Sequence, residues 1–349
     1  MRTFETIVSG IRAMMLGSAE RSQKKEEIAM KVIHCVKYGS HRDLVVAEVD
    51  PPGPPQPGEM SVRIKTAGIQ FSDLVRIAGD YQEKSELPFV IGGDAGGVVT
   101  AVGDGVEGFR VGDAVLTPGG CVERVNVAAR RVTPLPEGTD LEQAASFRNN
   151  YATGLWGLQL GRLCPGETLL VHGAAGGVGL AAVDLGKLMG ARVIAAASSE
   201  EKLTVVKTLG ADHTINYTDG FRYQVKELTG GRGADVIYDP VGGDVFDESM
   251  RCVAPYGRIL IVGFTSGRAA TAKTNHLLVK DAQVIGYTMG GLSRHDPEKN
   301  RANAEILLDW LSHGRISPYV SHRLPMDEIV EAYQLIVDRK VIGKVMITT

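Results

Sequence analysis

Seven consecutive residues, Gly173-Ala174-Ala175-Gly176-Gly177-Val178-Gly179, have the composition of a loop that holds phosphate, and they follow the apolar run Leu169-Leu170-Val171. Glycines let the main chain approach a pyrophosphate closely, and a helix that follows them aims its free N–H groups and positive dipole end at the negative charge. The spacing departs from strict Gly-x-Gly-x-x-Gly because Ala174 holds the place of the first glycine, so the surroundings must supply the rest of the signal. They do: 179–189 reads as a helix, 192–197 as a buried strand and 200–209 as a second helix, which completes a βαβ unit. The order implies a dinucleotide, with Ala175, Gly176, Gly177 and Val178 at its pyrophosphate, and hence hydride chemistry with a nicotinamide.

The end of the second strand selects between nicotinamide cofactors, because an NAD site needs a carboxylate about 20 residues downstream to accept the ribose hydroxyls. The chain reads Ala197-Ser198-Ser199 there. Small hydroxyl residues leave room for a 2′-phosphate and Lys202 can offset its charge, so NADPH is expected. Ser198 can equally cap the following helix, with Glu201 completing a capping box and Lys202 a solvated charge. The two readings are compatible. Glu200 and Glu201 oppose a phosphate unless they point away from it.

The elements that must position this site fall into two groups. With 349 residues, 44% hydrophobic and 23% charged, the chain suits two soluble domains. Lys plus Arg number 38 against 41 Asp plus Glu, and a net charge of −3 offers no footprint for nucleic acid. No apolar run approaches the roughly 20 residues of a membrane span. Cys35, Cys121, Cys164 and Cys252 form no C-x-x-C pair, which argues against a disulfide framework or a clustered zinc lobe and for a reducing, cytoplasmic setting. In residues 1–29, Phe4, Ile7, Val8, Ile11, Met14 and Met15 share one helical face, the pattern of a mitochondrial targeting helix, but Glu5, Glu20, Glu26 and Glu27 count against it.

From 30 to 150, short strands separated by Gly and Pro clusters (44–49, 60–67, 97–102, 113–116 and 122–127) read as a barrel-like β domain. The run Pro51-Pro52-Gly53-Pro54-Pro55 between two of them is a connection without ladder donors. From 151 to 290, strands alternate with helices as in a doubly wound parallel sheet of six strands. From 291 to 349, a polar helix (297–313), a strand (318–324), a helix (326–339) and a last strand (344–347) return to the first domain.

Six motifs in this order resemble the medium-chain dehydrogenase/reductase superfamily, and within it the zinc-independent NADPH:quinone oxidoreductase branch: Ala67-Gly68-Ile69-Gln70-Phe71-Ser72-Asp73, Gly92-Gly93-Asp94-Ala95-Gly96-Gly97, Asn149-Asn150-Tyr151-Ala152-Thr153, the loop 173–179, Asp239-Pro240-Val241-Gly242-Gly243 and Val262-Gly263-Phe264. The resemblance covers about residues 31–349. It implies an α/β protein in which a Rossmann-type doubly wound parallel sheet is inserted in a GroES-like β-barrel catalytic domain. Zinc members of the superfamily carry a Cys, a His-Glu pair and a further Cys or Asp around the metal, where this chain has Gln70, Gly93-Asp94 and Asn149. One Asp cannot supply the three donors of a tetrahedral site.

Without a Lewis acid, hydride suits an acceptor that delocalises the resulting charge: a quinone, an enone or an enoyl thioester. The resemblance implies Tyr81 as proton donor to the product, or else as an aromatic lining the cleft while solvent protonates. It implies Gln70 and Asn150 as orienters of the carbonyl; the branch usually has Asn in the place of Gln70. Thr153 and Asn149-Asn150 are expected near the nicotinamide and its ribose, Gly263 and Phe264 closing over that ribose, and Ser198, Ser199, Lys202 and Tyr217 around the 2′-phosphate. An enoyl-thioester (CoA or carrier-protein) reductase and a non-catalytic NADPH-binding protein are the alternative functions. A homodimer paired through the last parallel strand, or a homotetramer, is expected.

Overall fold

A computed structural model of the protein describes residues 29–81 and 84–349. The amphipathic face noted at Phe4 to Met15 lies outside the described residues.

The first half is built from β1 (Met30–Cys35), β2 (Val45–Val49), β3 (Glu59–Ile69), β4 (Phe89–Val90), β5 (Asp94–Val102), β6 (Ala114–Pro118), β7 (Arg124–Ala128) and β8 (Thr133–Pro134). β2, β1 and β4 form a small antiparallel sheet. β3 is the spine of the larger one. Met60, Val62 and Ile64 alternate inward as a half-buried strand requires, and then Thr66 to Ile69 are buried on both faces. The change of pattern marks the stretch that the rest of the chain covers.

The covering element is a 20-residue helix, Leu141–Leu160, started by the Asp140 carboxylate, which accepts from the N–H groups of Glu142 and Gln143 at 2.8 and 2.9 Å. It packs on β3, β5 and β6 and also on the helix of the glycine loop. Its inward side includes buried Ser146 and Asn150, so it presents no clean apolar stripe. The helix runs through residue 150 without a break, so the division placed there falls inside one element shared by both halves.

The second half holds β9 (Thr168–Val171), β10 (Arg192–Ala197), β11 (His213–Asn216), β12 (Ala234–Asp239), β13 (Val253–Ile261) and β14 (Gln283–Gly286). They form one parallel sheet in the order β11-β10-β9-β12-β13-β14. β9 and β12 are buried throughout and β10 from its second residue on, as expected for strands covered by helices on both faces. After the helices Met289–His295 and Pro297–Ser312, the chain returns through β15 (Val320–Pro325), the helix Ile329–Val337 and β16 (Lys344–Thr348). β16 pairs antiparallel with β3, Val345 opposite Ile69, and places Lys344 beside the end of that strand. Val345 and Ile347 enter the same core as Ile64 and Ile69. Among the described residues no helix is long and apolar enough to cross a membrane.

Candidate active site

The glycine loop is shaped by contacts that only a bare backbone tolerates. Gly173 takes a left-handed φ of 54°. Gly179 lies so close to that turn that a Cβ would fall on the Gly173 carbonyl oxygen and within 2.8 Å of the Ala174 Cα. The helix Gly177–Leu188 that follows starts at Gly176 with no side-chain cap. Its leading N–H groups are therefore free for an anion, the arrangement that a dinucleotide pyrophosphate needs. Ala175 is buried, Val178 is half-buried on the first turn, and the Ala175 carbonyl accepts from the Gly343 N–H at 2.8 Å. Under the loop, the His172 imidazole is sealed against Phe221 and shares a 2.8 Å hydrogen bond with Ser249, and burial pushes its pKa down to about 3.

The β10–β11 register pairs Ala197 with Asn216, so Ser198 and Tyr217 stand side by side where both strands end. The helix cap is Ser199, not Ser198: its Oγ accepts from the Lys202 N–H at 3.4 Å. Lys202 rather than Glu201 thus occupies the third helical position, and the expected capping box does not form. Ser198 keeps its hydroxyl free of the capping role. Glu200 turns to Asn216, whose amide donates to it at 3.3 Å. The Lys202 ammonium donates to the Arg339 carbonyl at 2.6 Å; burial and the Arg339 charge pull its pKa below the ordinary lysine value. Arg339 is a second cation at this corner that sequence reasoning missed. It comes from the returning segment, 137 residues away, and no local pattern announces it.

Where the nicotinamide is expected, Thr153 donates to the Asn149 carbonyl at 2.7 Å, and its own carbonyl accepts from the Tyr287 hydroxyl at 2.9 Å. Gly263 and Phe264 follow β13. Phe264 is 45% exposed and leans on Gly242, where a Cβ would sit 2.9 Å from its ring. Gln70, at the end of β3, is the hub of a second cluster. Its Oε1 accepts from the Asn149 amide at 2.8 Å and the Lys344 ammonium at 3.2 Å. Its N–H donates to buried Asp73 at 2.8 Å, and Asp73 also accepts from Tyr333.

The expected pair of carbonyl orienters is thus rearranged. Asn149 meets Gln70, whereas Asn150, one residue on and about a quarter-turn around the helix, is buried against the loop, its amide 2.5 Å from where a Gly177 Cβ would be. Asn150 therefore packs against the glycine loop and not beside Gln70. Tyr81 lies just beyond the helix Phe71–Ala78; it is 42% exposed, and its hydroxyl has no hydrogen bond among the described residues. An open cavity of about 460 Å³, with Arg222, Lys226, Arg251, His276 and Lys280 in its lining, contains none of these residues.

The places where superfamily members hold zinc do not fit the metal. They carry two carboxamides bonded to each other, with a buried ammonium directed at one of them, and a single carboxylate, Asp94, which pairs with Arg148 at 3.9 Å. Carboxamides are weak zinc donors and an ammonium repels a dication. Among the described residues no group of three His, Cys, Asp or Glu side chains gathers to hold a metal.

The chain matches two family profiles, the alcohol dehydrogenase GroES-like domain over residues 56–137 and the zinc-binding dehydrogenase family over 177–307. It is 40% identical over 299 residues to quinone oxidoreductase-like protein 2 homolog of Nematostella vectensis, covering 83% of this chain and 82% of that protein. It is 32% identical over 331 residues to a 2-haloacrylate reductase of Burkholderia, covering 90% and 97%. The fold superposes on Escherichia coli quinone oxidoreductase complexed with NADPH with a TM-score of 0.82, at 28% identity and covering 91% and 100% of the two chains. The protein is therefore an oxidoreductase that belongs to the medium-chain dehydrogenase/reductase superfamily, in its quinone oxidoreductase branch.

Proposed function

We propose that the protein is an NADPH-dependent, zinc-independent reductase of quinones or α,β-unsaturated carbonyls. The observation that carries this reading is the replacement of metal donors by the Gln70–Asn149–Lys344 cluster on the acceptor side of the glycine loop. The free N–H groups of the helix Gly177–Leu188 would hold the pyrophosphate, and Ser198, Ser199, Lys202, Arg339 and Tyr217 a 2′-phosphate. When bound, the reduced nicotinamide supplies a hydride. Phe264 shields the ribose side of the cleft from water, and the Gln70 amide donates to the acceptor oxygen on which negative charge develops. Tyr81, or solvent in its place, returns the proton. The E. coli neighbour bears NADPH, and the Burkholderia relative is named for reduction of a conjugated acid, which favours an activated double bond beside quinones.

The test is consumption of reduced nicotinamide with 9,10-phenanthrenequinone, NADPH against NADH. A preference for NADPH of at least about tenfold, near 1.4 kcal/mol, supports the reading; turnover with neither cofactor and with no quinone, enone or enoyl thioester defeats it. The ratio of kcat/KM for crotonyl-CoA to that for 1,4-benzoquinone separates an enoyl-thioester reductase from a quinone reductase. A homodimer is part of the proposal. Among the described residues β14 has one sheet neighbour, β13, and Leu278 and Val279 beside it are about four-fifths exposed, a sheet edge and apolar surface that a second copy would cover. Four free cysteines, three of them buried, suit the cytoplasm, the compartment we propose.

A further inference from the structure

Lys344 is a buried cation whose ammonium is spent on a carboxamide. The side chain crosses Gly68, where a Cβ would lie 2.7 Å from its Cε, so this glycine keeps the path to Gln70 open. Burial pulls its pKa below the ordinary lysine value, and Asp73 and Asp94, acting through space, oppose that and favour the ammonium. An ammonium cannot accept a hydrogen bond, so the group that Gln70 turns to it at 3.2 Å must be the oxygen. The Asn149 amide donates to the same oxygen. With Oε1 doubly engaged, Nε2 faces the opposite way, toward Gly93, and a Cβ built on that glycine is still 3.7 Å from it. The geometry points to Lys344 as the positioning residue that fixes Gln70 with its two N–H donors aimed over Gly93 at the oxygen of the acceptor.

This inference rests on the reductase reading above and adds to it a residue that acts through Gln70. Two consequences follow from the chemistry. A charged donor on Oε1 polarises the carboxamide and strengthens the donors at its other end. Charge that grows on the acceptor oxygen during hydride transfer meets a donor that needs no reorientation, so the benefit belongs to the transition state and appears in kcat.

The experiment measures kcat and KM for 9,10-phenanthrenequinone, and the NADPH dissociation constant by fluorescence, in the wild type, Lys344→Met, Gln70→Ala and the double variant. We expect Lys344→Met to lower kcat about tenfold with NADPH affinity within about twofold of wild type, and to add less than about twofold when introduced into Gln70→Ala. A kcat that Lys344→Met leaves unchanged, or losses that multiply in the double variant, overturns the inference while the reductase reading stands. An inactive wild type overturns the reading and the inference with it. If Lys344→Met does not fold, Lys344→Ala removes both the charge and the donor in a smaller side chain, and the same kcat loss or its absence decides in the same way.

Discussion

The two sides of the cleft are made of different material. The cofactor side is backbone: free N–H groups at a helix start, a left-handed glycine and contacts too short for a Cβ. The proposed acceptor side is side chain: Gln70, Asn149 and Lys344, delivered by β3, the long helix and β16. A backbone site is local, since residues 173–179 carry nearly all of it. The side-chain site joins positions 274 residues apart and exists only once β16 has paired with β3. Damage to the first should therefore abolish binding, whereas damage to the second should slow turnover in a protein that still binds NADPH.

The largest effect is expected from Gly179→Val on the cofactor side. The clash is with backbone, so the loop and the helix behind it must move apart. Overpacking of this kind costs about 3 kcal/mol or more, and thermal unfolding together with NADPH titration should show both a lower Tm and no measurable binding. A Gly179→Val protein that binds NADPH normally would mean that the loop is not the cradle described here.

Acid should also find the cofactor side first. His172 is fully buried, and the imidazole is held to about 3 from its ordinary 6.5. Because the folded value is the lower one, this group's contribution to stability is complete above pH 6.5. It is withdrawn at about 1.4 kcal/mol per pH unit as pH falls from 6.5 toward 3. Urea midpoints measured at pH 7 and pH 5 should fall more steeply in the wild type than in His172→Gln; equal slopes would assign the acid sensitivity to other groups.

Asn149 and Asn150 set the comparison on neighbouring residues. Asn149→Ala loosens Gln70 and should lower kcat about threefold to tenfold at unchanged NADPH affinity, while Asn150→Ala should weaken NADPH by about tenfold through the Gly177 contact. If the two variants behave alike, the long helix does not separate the two functions as its geometry suggests.

What the sequence disclosed follows the same division. The βαβ unit was legible because its signals are local: an apolar strand, glycines at fixed spacing, then a helix. Ser198 and Lys202 were identified as candidates from the strand end alone, although the cap proved to be Ser199. The long helix was not read from the sequence before residue 150, since buried Ser146 and Asn150 interrupt the periodicity that would have shown it. Lys344 lay in plain view in the last strand, yet nothing near it in sequence says that it reaches Gln70. Arg339 is similar, the last residue of an expected helix until the fold brings its carbonyl to Lys202. Long-range pairing, rather than unusual chemistry, hid these residues.

The last predicted effect is the most selective. Lys202 spends its ammonium on a carbonyl, with the Arg339 charge near enough to help pull its pKa down. Two cations drawn together at a strand end suit an anion that enters between them, and on the proposed reading only NADPH would carry a phosphate to that place. Lys202→Ala should therefore weaken NADPH about tenfold, near 1.4 kcal/mol, and leave NADH within about twofold, as titrations of the two reduced cofactors would show. Equal weakening of both would make Lys202 a brace for the Arg339 turn instead of a phosphate contact. A preference for NADPH that survives the substitution would shift the selection to Arg339, Ser198 and Tyr217, still on the side of the cleft that is otherwise built from backbone.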